Sequence, residues 1–217
     1  MSDVIIQQIP VGPFQVFTYL VACPATKEAV LIDPAGEEEM LADLIRKGGF
    51  RIRYILNTHG HADHVLGNLN MKEMFSVPVC MHEADDDFFS REEVRNASTK
   101  ELGLPPPGPA DIRLKDGDEL KVGSLQIRVI HTPGHTPGSV CFLAQGNLFT
   151  GDTLFVGAAG RTDLTGASLD ALLESIQKKI LPLAKETVVW PGHDYGETPF
   201  STLEREREEN VYITEFD

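Results

Sequence analysis

Residues 56–68 read LNTHGHADHVLGN, and they place His59, His61, Asp63 and His64 within six positions, beside Gly60 and Gly67. The chain has only seven histidines, so three of them stand in one short segment. A polar turn can collect histidines by chance. Histidines at i, i+2 and i+5 with an aspartate between them are nonetheless unusual outside metal-binding loops, because neutral imidazole and carboxylate are the donors that suit Zn, Fe, Mn or Ni.

Working outward, the segment follows an apolar run, RIRYILN (51–57), that reads as a strand. Three other strand-like runs end in the same way. LQIRVI runs into His131-Thr132-Pro133-Gly134-His135, NLFT into Gly151-Asp152, and TVVW into Pro191-Gly192-His193-Asp194. A lone GD or GHD after a strand is usually only a turn. Four strand ends that each deliver His or Asp into a glycine-bearing loop are better explained together, as one site on a rigid scaffold. An open catalytic metal wants about three protein ligands plus a water, and these loops hold enough donors for such a set.

Alternating strands and helices surround these loops. VIIQQIPV, FQVFTYLVA and EAVLIDP read as strands, EEEMLADLIRKG as a helix with Met40, Leu41, Leu44 and Ile45 on one face, and VPVCMH as a short strand. ADHVLGNLNMKEMF predicts one helix with Val65, Leu66, Leu69 and Phe75 on its apolar face, weakened by Gly67. Residues 83–103 read as helical, and LPPPGPAD as a stiff internal linker between two halves of one domain covering residues 1–217. Two hairpins follow, DELKVGSLQIRVI and SVCFLAQGNLFTGD, then a helix capped by Ser168, the strand TVVWPGH and a final exposed helix, STLEREREEN. Two sheet-rich halves with helices between them imply a layered α/β sandwich.

The bulk properties narrow the partners. Of 217 residues, 41% are hydrophobic and 24% charged, with a formal net charge of −14. That balance argues against a nucleic-acid surface, which needs clustered Lys and Arg. It does not argue against a small anionic substrate, since a bound dication reverses the local potential. No apolar run is long enough to span a bilayer, and the N-terminal residues carry no signal-peptide pattern, so a cytoplasmic protein without a membrane partner is expected. Cys23, Cys80 and Cys141 are widely spaced and read as buried free thiols. Homodimer formation stays open.

The motifs resemble those of the metallo-β-lactamase superfamily. THGHADH fits its THxHxDH signature, and His135, Asp152 and His193 fall at the later ligand positions in the same order. The resemblance covers nearly the whole chain and implies a four-layer αβ/βα sandwich with the metals at one edge. It implies His59, His61 and His135 on one ion, Asp63, His64 and His193 on a second, and Asp152 bridging the two, with Asp63 and Asp152 as the catalytic carboxylates. Asp33 in LIDP matches an aspartate that supports the metal loop from behind.

Within that superfamily, TPGHTPGSVCF, FTGDTLF, GRTD and WPGHDYGETP are most similar to small glyoxalase II-like hydrolases and the related persulfide dioxygenases. The first resemblance implies hydrolysis of a thioester such as S-lactoylglutathione by a metal-bound hydroxide, with two divalent ions (Zn, Fe or Mn) as cofactors. The second implies a single Fe(II) on His59, His135 and Asp152 that oxidises glutathione persulfide with O₂. PGHDYG and GETP lean toward the hydrolases. Full-length glyoxalase II carries a further helical domain with basic and Tyr residues for glutathione, whereas this sequence runs only 24 residues past His193, largely acidic. Arg161 and Tyr195 are then the candidates for contact with a thioester or glutathione-type thiol. His82 and His131 are expected to be structural.

Overall fold

Every residue of the strand Val16–Ala22 is buried, because it carries apolar side chains on both faces and has a layer of structure on each side. In the computed structural model, which describes residues 4–215, it is β2 of a six-stranded sheet. The order is β1 (Ile5–Val11), β2, β3 (Glu28–Ile32), β4 (Arg51–Leu56), β5 (Val79–His82) and β6 (Ile112–Leu114). The first three strands are antiparallel and β3 to β6 run parallel. A second six-stranded sheet is ordered β14 (Ser201–Thr202), β13 (Val188–Pro191), β10 (Asn147–Gly151), β9 (Val140–Ala144), β8 (Leu125–His131) and β7 (Glu119–Val122). A small ribbon, β11 (Leu154–Phe155) and β12 (Ala158–Ala159), lies between β10 and β13 in sequence.

The period of two along the strands separates three apolar layers. Phe17, Tyr19 and Val21 of β2 meet Ile127, Val129, Phe142 and Phe149 of the second sheet. The opposite face, Val16, Leu20 and Ala22, packs with Leu41 and Ile45 of α1 (Glu38–Lys47) and Met71 of α3 (Asn68–Phe75). On the far side, Ile130, Cys141 and Leu148 meet Leu172 of α6 (Leu169–Ser175), Ile176 and Ile180 of the π-helical turn that continues it, and Leu203 and Ile213. This is the αβ/βα sandwich, with helices on both outer faces. Burying Phe142 and Phe149 stabilises the inter-sheet layer by about 1.5–3 kcal/mol each.

Several sequence expectations need correction. The helix expected over 62–75 is two helices, α2 (Ala62–Val65) and α3, because Gly67 turns the chain and donates its N–H to Pro34 O. Leu69, expected in the apolar face, is 64% exposed, while Met71 is buried in its place. Met40 is likewise exposed. Residues 83–103 are helical as expected, in two pieces, α4 (Glu83–Phe89) and α5 (Glu92–Leu102). The proline-rich linker does not divide the halves: β6 follows it and pairs with β5, so the change of sheet comes only between β6 and β7. Helix α7 (Leu203–Glu209) is not simply exposed, since Leu203 and Glu206 are buried; a last turn, α8 (Val211–Thr214), follows. The three cysteines are free and buried, as expected. Among the described residues, no helix is long and apolar enough to cross a membrane.

Strands β8, β10 and β13 point the same way, so their C-terminal ends share one edge. The first sheet is stitched to that edge at the end of β4 and along β2: Val140 N donates to Thr58 O (2.8 Å), Phe17 N donates to Gly192 O (2.8 Å), and Tyr19 OH donates to Pro191 O. Backbone bonds between the sheets therefore fix the loops from which the site is built.

Candidate metal centre

His59 follows β4, His61 stands at the N-cap of α2, and Asp63 and His64 lie on α2 itself. His135 follows β8, Asp152 follows β10 and His193 follows β13. All seven side chains converge. His59, His61 and His135 offer ligand atoms within 4.8 Å of one another, as do His59, His64 and Asp152, and Asp63, His64 and His193.

The separations suit a small cation. His64 Nε2 lies 3.3 Å from His193 Nε2 and 3.3 Å from Asp152 Oδ1. His193 Nε2 is 3.5 Å from Asp152 Oδ2 and 3.7 Å from Asp63 Oδ2. On the other side His61 Nδ1 is 2.9 Å from His135 Nε2, which is 3.6 Å from Asp152 Oδ2. Donors held at about 2.0–2.2 Å around a tetrahedral ion stand about 3.3–3.6 Å apart. The burial agrees: His59 Nε2 and Asp152 Oδ1 are buried and make no hydrogen bond among the described residues. A buried polar atom left so is costly unless something else binds it, and the donor set fits a divalent ion.

Hydrogen bonds behind the rings assign their tautomers. Asp33 Oδ2 accepts from Thr58 Oγ1 (2.6 Å) and from His64 Nδ1 (2.9 Å), while its Oδ1 accepts from Thr58 N (2.8 Å). With its own proton given to Asp33, Thr58 Oγ1 accepts from His59 Nδ1 (3.1 Å). His135 Nδ1 donates to Arg161 O (2.8 Å). Each of His59, His64 and His135 is thereby turned with an Nε2 lone pair toward the centre.

Charge in the site is uneven. Burial, and then the neighbouring imidazoles, hold His59 and His61 well below the usual histidine range, and burial lowers His135. For His64, burial opposes the charge but Asp152 and Asp63 outweigh it, so its pKa is raised. Burial would raise Asp152, yet His64 and His193 overcome that and hold its carboxyl well below the ordinary range. Asp152 is thus a buried anion ringed by imidazoles, the arrangement a cation completes.

The remaining candidates lie farther out. Tyr195 is 65% exposed and stacks on His193, with ring centroids 4.9 Å apart and planes at 8°. The Arg161 guanidinium pairs with Asp163 (2.9 Å), and its carbonyl, not its side chain, meets His135. His82 and His131 stack on each other at 4.0 Å, away from the donors; His82 Nδ1 caps α4, and His131 bonds Pro137 O.

Asp85 escapes sequence reasoning. It is fully buried in α4 and accepts from Gly60 N, Thr136 Oγ1 and Gly138 N. In the charged run EADDD nothing marks it apart from its neighbours. Gly160, the first residue of GRTD, owes its place to close approach: a Cβ there would lie 1.8 Å from Asp152 O.

A family model described as the metallo-beta-lactamase superfamily matches residues 11–193. The chain is 33% identical to the hydroxyacylglutathione hydrolase GloC of Haemophilus influenzae over 96% of its length and 97% of that protein. It is 34% identical to the human mitochondrial persulfide dioxygenase ETHE1 over 91% of its length and 71% of that protein. Among solved structures, BLEG-1 B3 metallo-beta-lactamase is 37% identical with a TM-score of 0.87, covering 97% of this chain and 100% of that one. TTHA1623 in a di-iron-bound form is 36% identical with a TM-score of 0.81, covering 95% and 99%.

Proposed function

The chain belongs to the metallo-beta-lactamase superfamily, and from that membership we propose that it is a binuclear metal-dependent hydrolase of a small thioester of the S-lactoylglutathione type. The observation that carries the reading is the place of Asp152. Its Oδ1 stands 3.3 Å from His64 Nε2 and its Oδ2 stands 3.6 Å from His135 Nε2, so one carboxylate faces both donor sets. Two ions about 3.5–4 Å apart need such a shared anion.

Bound there, two divalent ions would supply a nucleophile at neutral pH and polarise the acyl carbonyl. The residues do the rest. His59, His61 and His135 would hold one ion and Asp63, His64 and His193 the other, with Asp152 available to both. Thr58, Asp33 and the Arg161 carbonyl keep the rings of His59, His64 and His135 turned inward. A departing thiolate needs little proton assistance, because a thiol titrates near about 8.5; no further general acid is required. Tyr195 and Arg161 stand at the rim, where the acyl or thiol portion would be met. The likeness to GloC over nearly its whole length supports the thioesterase reading, and the di-iron relative supports two ions.

The likeness to ETHE1 favours a second reading, a persulfide dioxygenase with one Fe(II) on His59, His135 and Asp152. Protein purified without added metal, assayed in parallel for S-lactoylglutathione hydrolysis and for oxygen uptake on glutathione persulfide, separates the two. Hydrolysis without oxygen uptake is expected. Oxygen uptake without hydrolysis overturns the thioesterase in favour of the dioxygenase.

A further inference from the structure

Two buried carboxylates, Asp33 and Asp85, lie behind the donor atoms, and they bond different parts of the loops that carry them. Asp33 bonds Thr58 and His64, and so reaches His64 of the second set directly and His59 of the first only through the Thr58 hydroxyl. Asp85 bonds other groups. Its Oδ2 accepts from Gly60 N (2.7 Å) and Thr136 Oγ1 (2.8 Å), and its Oδ1 accepts from Gly138 N (2.6 Å). Gly60 separates His59 from His61, and Thr136 directly follows His135.

The three bonds join a loop of the first sheet to a loop of the second at the point where their histidines meet. His61 Nδ1 and His135 Nε2, 2.9 Å apart, come from those two loops. Both loops approach α4 closely. A Cβ on Gly138 would lie 2.3 Å from Asp85 N, and one on Gly60 would lie 2.4 Å from the Phe89 ring. Phe89, one turn further along α4, packs edge-on against His61 at 5.7 Å. A buried carboxylate is costly unless its oxygens are fully bonded, and here the donors come from both metal loops.

We propose that Asp85 is a positioning residue for the His59, His61 and His135 set, fixing the two loops so that these three nitrogens meet one ion. The inference rests on the metal-centre reading above for what the loops hold. It goes beyond it in giving the His59, His61 and His135 set a second carboxylate, which acts through the backbone of both loops.

Zinc is the probe, and chelator competition reads its affinity. In His193→Ala protein the first set remains intact; in His61→Ala protein the second does. Asp85→Asn is expected to weaken zinc binding about 10–100-fold in the first background. In the second background zinc binding should stay within about twofold of its starting value, well short of the loss of a supporting bond. Thr136→Val removes one bond of the three and should give a smaller loss in the first background alone, which keeps the test open if Asp85→Asn does not fold. A purely structural role would lower thermal stability in both backgrounds without this split. Equal losses in both, or no loss in the first, overturn the assignment. Absence of zinc binding in both backgrounds overturns the metal-centre reading itself.

Discussion

The Asp33 carboxylate lies 2.9 Å from His64 Nδ1 and holds the Thr58 hydroxyl at 2.6 Å, so one buried anion orients His64 directly and His59 through Thr58. In Asp33→Asn protein one oxygen becomes a donor facing donors. Zinc affinity should fall about 10–100-fold, and the unsatisfied groups should cost about 1–3 kcal/mol of stability. Chelator competition and thermal unfolding check both, and unchanged zinc affinity would mean that Asp33 does not orient the ligands.

Gly192 leaves the space that Asp152 occupies. A Cβ there would stand 2.3 Å from Asp152 Oδ1 and 3.0 Å from His64 Cε1. The backbone cannot retreat easily, because Gly192 N donates to Gly151 O and Gly192 O accepts from Phe17 N, each at 2.8 Å. Gly192→Ala is therefore expected to turn the Asp152 carboxylate away from His64 and lower the metal content from two ions per chain toward one. Elemental analysis of the folded variant reads this directly, and two ions retained would show that the shared carboxylate tolerates the methyl.

Tyr195 presents its ring to solvent while stacking on His193. Tyr195→Ala should raise KM for the thioester about three- to tenfold, the value of one aromatic contact, and leave metal content unchanged. A fall in kcat with unaltered KM would place Tyr195 in the chemistry instead of at the rim.

His82 gives the pH dependence its sign. Burial, and then the stacked His131, push its imidazole down to about 4, although Glu83, Asp116 and Asp118 pull the other way. The unfolded chain, with histidine near about 6.5, binds more protons between these values. The contribution of His82 is therefore complete above pH 6.5 and lost as pH falls toward 4. His82→Gln should narrow the drop in thermal stability between neutral and acid pH, measured against the wild type. Its turnover at neutral pH should be nearly unchanged; a large loss of turnover at normal stability would contradict a structural His82.

The donors are legible in sequence because they sit where strands end in glycine-bearing loops, and those loops need no knowledge of distant contacts to be recognised. Asp85 is not legible, since its burial depends on Gly60 and Gly138, 25 and 53 residues away, closing over it. The break at Gly67 and the exposure of Leu69 are hidden for a related reason: helical spacing does not reveal that Pro34 O takes the Gly67 N–H. Glu206 reads as a surface residue of an acidic helix, yet it is buried and accepts from Gly157 N and Asn210 Nδ2. Local periodicity specifies the strands and their edge, whereas the supports of the site come from long-range pairing.

The most direct test is a crystal of protein purified without added metal, measured with X-rays on either side of the absorption edge of its native metal. Two anomalous peaks about 3.5–4 Å apart, with Asp152 between them, are predicted. A single peak bound by His59, His135 and Asp152, with Asp63, His64 and His193 holding no ion, would contradict the binuclear centre.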